Sequence, residues 1–333
     1  MMNYEIFKEI VAEKIKDYLP ENLSGMDIKA NSTQKVNVAL DAITLVNNEE
    51  GQKISPTIYI NHLYDEYKRT EDLERCLSKA ANLLAKGYAD RPESIPNLKL
   101  EEAKDSIVFQ LINTEQNKEM LADMPNRSFQ DLSIIYRWVV NKRDDGIEST
   151  VINNSLAKTL GVSEEQLFNL AVENTKRIFP PVVKSMTEVI RDMFMSDGMP
   201  VEIADMMIGD MPEDRAMWVI TNQNGINGAA SMLYENNLHE LAEKLETDLY
   251  ILPSSLHEVI AVSVNMGDPN ELAEMVAEIN MEQVDLQDRL SNQVYHYDKD
   301  LRKLTLATDT PNKRIDGIVA EVQLVYDAAD KSR

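Results

Sequence analysis

The sequence predicts an α+β fold: two lobes of mainly antiparallel sheet with helices on one face, joined by a helical segment. A chain of 333 residues exceeds the size at which one hydrophobic core usually keeps growing. Stretches of alternating apolar and polar residues recur towards both ends, whereas the middle carries helical periodicity. We expect an N-terminal lobe at 1–145, a helical connecting segment at 146–213, a C-terminal lobe at 214–310 and an appendage at 311–333.

The N-terminal lobe begins with an amphipathic helix over residues 4–19, which Pro20 ends. Three alternating stretches then predict antiparallel strands, with a turn at 47–51 before the last: DIKAN, QKVNVALDAITLV and PTIYINHLY. A second helix, closed by Gly87, precedes a loop at 90–96. The two strongest strand candidates follow, IVFQLIN and LSIIYRWVV.

The connecting segment is predicted to be helical. Three stretches show helical periodicity: SLAKTLG, SEEQLFNLAVENTKRIF and SMTEVIRDMFMSDG. Ser163 is placed to cap the second, while Pro180, Pro181 and Gly198 interrupt the pattern.

The C-terminal lobe repeats the order of strands and helices. MWVITN predicts a strand, and the Asn- and Gly-rich residues 222–228 predict a hairpin turn before a helix. TDLYILPS and HEVIAVSV predict two strands around a Pro-Ser-Ser turn. Asp268 caps a further helix, and a hairpin over residues 292–307 completes the lobe.

The charge of the chain excludes several classes of partner. It has 57 acidic and 34 basic residues, a net charge of −23, which repels phosphate backbones and anionic lipid. We therefore expect neither nucleic-acid nor membrane partners. The chain has no long uncharged apolar run, and its first residues mix acids with lysines, which predicts a cytoplasmic protein. Its 17 methionines indicate adaptable cores or an apolar surface that meets a partner.

Three motifs have a simpler structural interpretation than a chemical one. His239 and Glu243 share the spacing of zinc-protease ligands, but no second histidine lies nearby, which favours an exposed pair over a metal site. Residues 222–228 match neither a Walker loop nor a dinucleotide fingerprint, so we expect no cofactor. Cys76 lies in a helical pattern, where cysteine behaves as a small hydrophobe.

A serine, histidine and acid cluster suggests a hydrolase. Ser254, Ser255, His257 and Glu258 are almost adjacent, and His296 on the last hairpin is a further candidate. Catalytic triads usually come from distant segments, however, and the G-x-S-x-G turn is absent. A tight turn between two strands explains the proline and serines without chemistry.

Residues 155–173 resemble a helix-turn-helix, with Gly161 in the turn and Ser163 as the cap of the second helix. The residues that would meet DNA include Glu164 and Glu165, which phosphates repel. A plain pair of helices is favoured.

Five segments together resemble an uncharacterised domain-of-unknown-function family (DUF 5688) of gut-dwelling Gram-positive anaerobes: FQLINTEQN, DLSIIYRW, AVENTKRIFPP, DLYILPSSLHEVIAVSV and LSNQVYHYDKDLRKLTL. Residues 155–306 more faintly resemble the YtpQ-type proteins of bacilli (DUF 1444). The first resemblance covers most of the chain. It implies a cytoplasmic bacterial origin and an α+β fold, and it transfers no catalytic residue.

The sequence thus favours a non-enzymatic protein that acts by binding another protein. Two alternatives remain open. One is a hydrolase with a site near Ser254, His257 and Glu258. The other is a nucleic-acid mimic, in which carboxylates imitate phosphates and occupy the groove of a basic protein.

Overall fold

The chain forms two compact units that meet in sequence between Glu102 and Ala103. The computed structural model describes residues 2–46, 55–90, 99–143, 146–208, 212, 215–310 and 313–317. The predicted turn at 47–51, most of the predicted loop at 90–96 and most of the predicted appendage lie outside these residues.

The described residues form helices and strands in the following order. The helices are α1 (Tyr4–Lys14), α2 (Ile60–Thr70), α3 (Leu73–Ala89), α4 (Leu100–Ala103), α5 (Lys118–Leu121), α6 (Asn154–Leu160), α7 (Glu164–Ile178), α8 (Met186–Ser196), α9 (Val201–Ile208), α10 (Glu235–Leu245) and α11 (Pro269–Gln283). The strands are β1 (Asp27–Lys35), β2 (Val38–Val46), β3 (Thr57–Tyr59), β4 (Ile107–Asn113), β5 (Asn126–Phe129), β6 (Leu132–Arg143), β7 (Gly146–Val151), β8 (Pro181–Ser185), β9 (Trp218–Asn222), β10 (Leu249–Leu252), β11 (Val259–Ser263), β12 (Tyr295–Asp298) and β13 (Lys303–Leu306).

The first unit packs α1, α2 and α3 against a three-stranded antiparallel sheet with the order β1-β2-β3. Ile43 and Leu45 of β2 share a buried core with Phe7 of α1 and Leu77 of α3. Cys76 is fully buried in the same core, and burial raises the pKa of its thiol. The thiol is therefore a packing group, because a raised pKa leaves little reactive thiolate.

One prediction in this unit is wrong. PTIYINHLY was expected to be a single strand, but β3 covers only three of its residues and α2 begins at Ile60. From there Ile60, Leu63 and Tyr67 recur at helical spacing and are buried, so the side chains that pack into the core require a helix.

The second unit contains two antiparallel sheets. One has six strands in the order β13-β12-β10-β11-β9-β8. In the other, β6 pairs with β4 along one edge and with β5 and β7 along the opposite edge. The two strongest strand candidates are thus confirmed as β4 and β6, which pair with each other, and the α+β fold class is confirmed.

The unit boundary differs from the predicted end of the first lobe at residue 145, because β4 is bonded to α7. Thr175 Oγ1 accepts a hydrogen bond from the Phe109 N–H at 3.0 Å, and Asn174 Nδ2 donates to the Ile107 carbonyl at 3.0 Å. These buried bonds place β4 and the strands beside it in the second unit.

The connecting segment is only partly helical. Its predicted helices are confirmed as α6, α7 and α8, but the segment also contains β7 and β8, which the helical prediction omitted. β8 pairs with β9 and forms an edge of the six-stranded sheet. β8 has only five residues and begins at Pro181, the second of two prolines, so its sequence is too short to show a clear period.

Buried polar contacts join the two sheets of the second unit. Asp131 accepts hydrogen bonds from the Ser291 hydroxyl at 2.6 Å and from the fully buried Tyr295 hydroxyl, whose pKa burial raises. Asn113 Nδ2 donates to the Leu290 carbonyl at 3.1 Å. These bonds hold the six-stranded sheet against the sheet of β4, β5, β6 and β7.

No helix within the described ranges is long and apolar enough to span a bilayer.

Candidate protein-interaction surface

α8 and α9 form a helical hairpin over residues 186–208, which we call the methionine hairpin. α8 begins with a capping box: Ser185 Oγ accepts from the Glu188 N–H at 3.2 Å, and Glu188 Oε2 accepts from the Ser185 N–H at 2.7 Å. Gly198, with φ of 85°, reverses the chain after α8. Arg191 Nε then pairs with Asp205 at 2.5 Å and ties α9 to α8.

The hairpin exposes large apolar side chains. Ile203, Met206 and Met207 are 50%, 86% and 62% exposed, and they recur at i, i+3 and i+4, so they share one face of α9. Helices normally bury a face with this spacing. Other exposed apolar side chains of the hairpin are Met193, Met195 and Val201. Exposed apolar side chains that share one helix face are typical of an interaction site.

Negative charge borders the apolar patch. Residues 186–208 contain five acidic and one basic side chain, a net charge of −4. Asp205 is neutralised by Arg191, whereas Asp197 and Glu202 are exposed and have no ion-pair partner within the described residues. The surface therefore combines an apolar stripe with unneutralised carboxylates.

The proposed hydrolase cluster lies in the turn between β10 and β11, where its groups bind backbone and carboxylate. Ser255 Oγ accepts from the His257 N–H at 2.9 Å. His257 Nδ1 accepts from the Asn227 N–H at 3.4 Å, and His257 Nε2 lies 3.4 Å from Asp288 Oδ1. Both ring nitrogens thus have partners, and neither partner is a serine hydroxyl. A serine nucleophile requires such a contact with its base.

The other members of the cluster lie at different places around β10. Ser254 and Glu258 are half-buried in the same turn. His296 lies opposite Tyr250 on β10, and its Nε2 is 2.9 Å from Asp248 Oδ2, at the end of β10 remote from the turn. His257 lies in the turn after β10 and His296 lies on β12, which pairs with β10, but the two histidines are at opposite ends of β10.

The Gly-rich residues 222–228 do not form the predicted hairpin. β9 pairs with β8 and β11, and after β9 the chain enters a short 3-10 helix that begins at Gly228. A Cβ at Gly228 would lie 2.3 Å from the His257 carbonyl oxygen and 2.2 Å from Thr221 Oγ1. The glycine is therefore required by a close backbone approach, while Asn227 takes a left-handed conformation.

His239 and Glu243 have different surroundings. Glu243 Oε1 pairs with Lys299 at 3.3 Å, whereas His239 Nδ1 is buried without a hydrogen-bond partner in the described structure. Within those same residues no three potential ligands are grouped as a metal site requires.

The helix-turn-helix-like pair is present as α6 and α7, with Ser163 as the predicted cap. Glu164 of α7 faces the protein, since Arg127 donates two hydrogen bonds to it at 3.0 and 2.9 Å and the Tyr136 hydroxyl donates a third. Burial raises the pKa of Glu164, but the hydrogen bonds from Arg127 and Tyr136 outweigh burial and the pKa is lowered. This residue is therefore an internal ion-pair partner.

A family of unknown function, DUF5688, matches residues 4–299. The chain belongs to this family. The resemblance inferred from the five segments is thus confirmed, and the YtpQ-type resemblance stays a prediction. No curated protein and no solved structure matches the chain.

Sequence reasoning missed the methionine hairpin as the candidate site of this DUF5688 protein. The methionines were noted, but apolar residues at helical spacing normally predict a buried face. The available signal was local: Ile203, Met206 and Met207 follow a Gly-Met-Pro break and lie among acidic residues.

Proposed function

We propose that this DUF5688 protein is a non-enzymatic, cytoplasmic protein that binds another protein through the methionine hairpin. The exposed stripe of Ile203, Met206 and Met207 carries the proposal. Methionine suits such a surface, because its unbranched, polarisable side chain adapts to different apolar partners. The described contacts of Ser255 and His257 give the hydrolase alternative no comparable support.

The partner segment that fits this surface is a basic amphipathic helix. Its apolar side chains would pack on the stripe of α9, as in other helix-in-groove complexes. Its lysines or arginines would approach Asp197 and Glu202. The net charge of −23 would also attract a basic segment at long range and speed association.

Charge disfavours two other occupants of the same surface. A second copy of the chain would bring two hairpins of net charge −4 together. An anionic membrane would be repelled by the same carboxylates.

The test is a titration of the full chain into a fluorescently labelled synthetic peptide, with leucines at helical spacing on one face and lysines on the other. We expect saturable binding by fluorescence anisotropy. Met206→Glu should weaken binding about tenfold or more, because it places a charge in the apolar contact. The matched control is Leu301→Glu, since Leu301 is 75% exposed and lies outside the hairpin.

Three results would contradict the proposal. The first is binding of the basic peptide that does not saturate. The second is equal weakening by Met206→Glu and Leu301→Glu, which would indicate general attraction to an acidic protein. A dimer by light scattering that Met206→Glu dissociates would identify a second copy as the occupant. A peptide with glutamates in place of the lysines should bind at least tenfold more weakly.

A further inference from the structure

Met206 and Met207 are the most exposed methionines of the described residues, at 86% and 62%. They are neighbours on α9, in a hairpin that is rich in this residue: residues 186–208 contain six of the 17 methionines of the chain, at positions 186, 193, 195, 199, 206 and 207. Met124 and Met232, by contrast, are buried. A small oxidant in solution therefore reaches the thioether sulfurs of α9 directly, whereas the fold shields those of the two buried methionines.

The chain has no accessible thiol that would react with such an oxidant first. Peroxides oxidise exposed thiolates in preference to neutral thiols. Cys76 is the single cysteine, it is fully buried, and burial raises the pKa of its thiol. The exposed thioethers of the methionine hairpin thus have no thiolate of this chain to compete with them for peroxide.

Oxidation of methionine changes the character of the side chain without breaking the protein chain. The thioether sulfur attacks one oxygen of hydrogen peroxide, the S–O bond forms, the O–O bond breaks, and the departing oxygen leaves as water. The sulfur loses two electrons and the peroxide gains them. The resulting sulfoxide is polar and carries a strong hydrogen-bond acceptor. Buried against apolar side chains without a donor, such an oxygen opposes the contact.

We propose, on the basis of the function proposed above, that Met206 and Met207 form a modification site at which peroxide switches off partner binding. Their sulfoxides place two polar groups on the apolar stripe, and only Ile203 remains unchanged in it. The carboxylates of Asp197 and Glu202 are not altered, so the partner is released through loss of the apolar contact. A thiol-dependent methionine sulfoxide reductase reverses the change: the sulfoxide oxygen leaves as water while two thiols form a disulfide.

The experiment treats the full chain with hydrogen peroxide, removes the excess with catalase, and titrates the product into the leucine and lysine peptide, which has no sulfur to oxidise. Tandem mass spectrometry locates the sulfoxides. We expect them to form at Met206 and Met207 at least about tenfold faster than at Met124 and Met232. Peptide binding should weaken about tenfold or more. Methionine sulfoxide reductases for both sulfoxide epimers, supplied with dithiothreitol, should restore it.

A pair of double variants tests whether the loss arises on α9. In Met206→Leu/Met207→Leu the stripe stays apolar but contains no sulfur, so peroxide should weaken binding less than about twofold relative to the untreated variant. The matched control is Met266→Leu/Met275→Leu, which removes two methionines that are 39% and 40% exposed and lie outside the hairpin. Peroxide should weaken binding by the control as much as binding by the native chain.

The outcomes separate this switch from the proposed function. If the native chain binds the peptide equally well before and after oxidation of Met206 and Met207, the switch is overturned and the proposed function stands. The same holds if the α9 variant loses as much affinity as the control, or if the α9 methionines oxidise no faster than the buried ones. Absence of peptide binding before treatment overturns the proposed function and the switch together.

Discussion

α7 and α8 begin in the same way and end up in opposite environments. Ser163 and Ser185 each cap a helix through a capping box. α7 then buries Leu167, Ala171, Asn174 and Thr175, whereas α8 has no buried residue. Local sequence signals thus decide where a helix begins, whereas contacts with strands that are distant in sequence decide whether the helix is buried. Substitutions in α7 should therefore change stability, and substitutions in the methionine hairpin should change binding.

The largest expected effect comes from the core of α7. Leu167 is fully buried, so Leu167→Ala should lower the free energy of unfolding by about 2–5 kcal/mol. Met193 of α8 is 60% exposed, so Met193→Ala should change the free energy of unfolding by less than about 0.5 kcal/mol. Urea unfolding followed by circular dichroism measures both. Equal losses would contradict the contrast between the two helices.

A smaller effect is expected at Asn174. Its Nδ2 donates to the carbonyls of Lys104 and Ile107 at 2.6 and 3.0 Å. Asn174→Ala leaves both carbonyls without this donor and should destabilise the protein by about 1–3 kcal/mol. Asn236→Ala, on an exposed side of α10, serves as the control in the same urea titration. If Asn174→Ala costs no more than the control, α7 is not held to β4 by this side chain.

The pH dependence of stability tests the start of α7. The folded pKa of Glu164 is lowered, so the stabilisation from its ionised form is present above the unfolded pKa of about 4.3 and is lost as the pH falls through the folded pKa. Glu164→Gln should lower stability by about 1–2 kcal/mol at pH 7. It should also flatten the dependence on pH below about 4.3. An unchanged slope in acid urea titrations would refute the role of Arg127 and Tyr136.

The helix caps give the smallest difference. Ser163→Ala should lower the free energy of global unfolding by about 1 kcal/mol. Ser185→Ala should instead act locally, because α8 is not part of the core: hydrogen exchange should accelerate over residues 186–196 with little change in global stability. A global loss as large as that of Ser163→Ala would show that α8 unfolds together with the rest of the unit.

Sequence reasoning succeeded where a segment carried its own signal. The predominantly apolar sequence of β4, the serine before α7 and the Asp268-Pro269 start of α11 each predicted their element. It failed at β3 and α2, where alternation continues directly into helical spacing without a glycine or proline to separate them. Strands β4, β5 and β6 were predicted in the first lobe, whereas they cluster with the second unit, because pairing partners and side-chain bonds to α7 are not local properties.

The candidate sites were harder to predict than the fold. The adjacent residues Ser255 and His257 did form a motif, yet their contacts are those of a tight turn. The α9 stripe is exposed or buried according to whether another element packs against it. The periodicity of the sequence does not show this.

The burial of Cys76 has a practical consequence for spectroscopy. It is the single cysteine of the chain, it is fully buried, and burial raises the pKa of its thiol. Thiol reagents react with exposed thiolates, so the native chain should resist labelling while it is folded. A cysteine introduced at Met206 would then accept a spin label or fluorophore at one position without removal of the natural thiol.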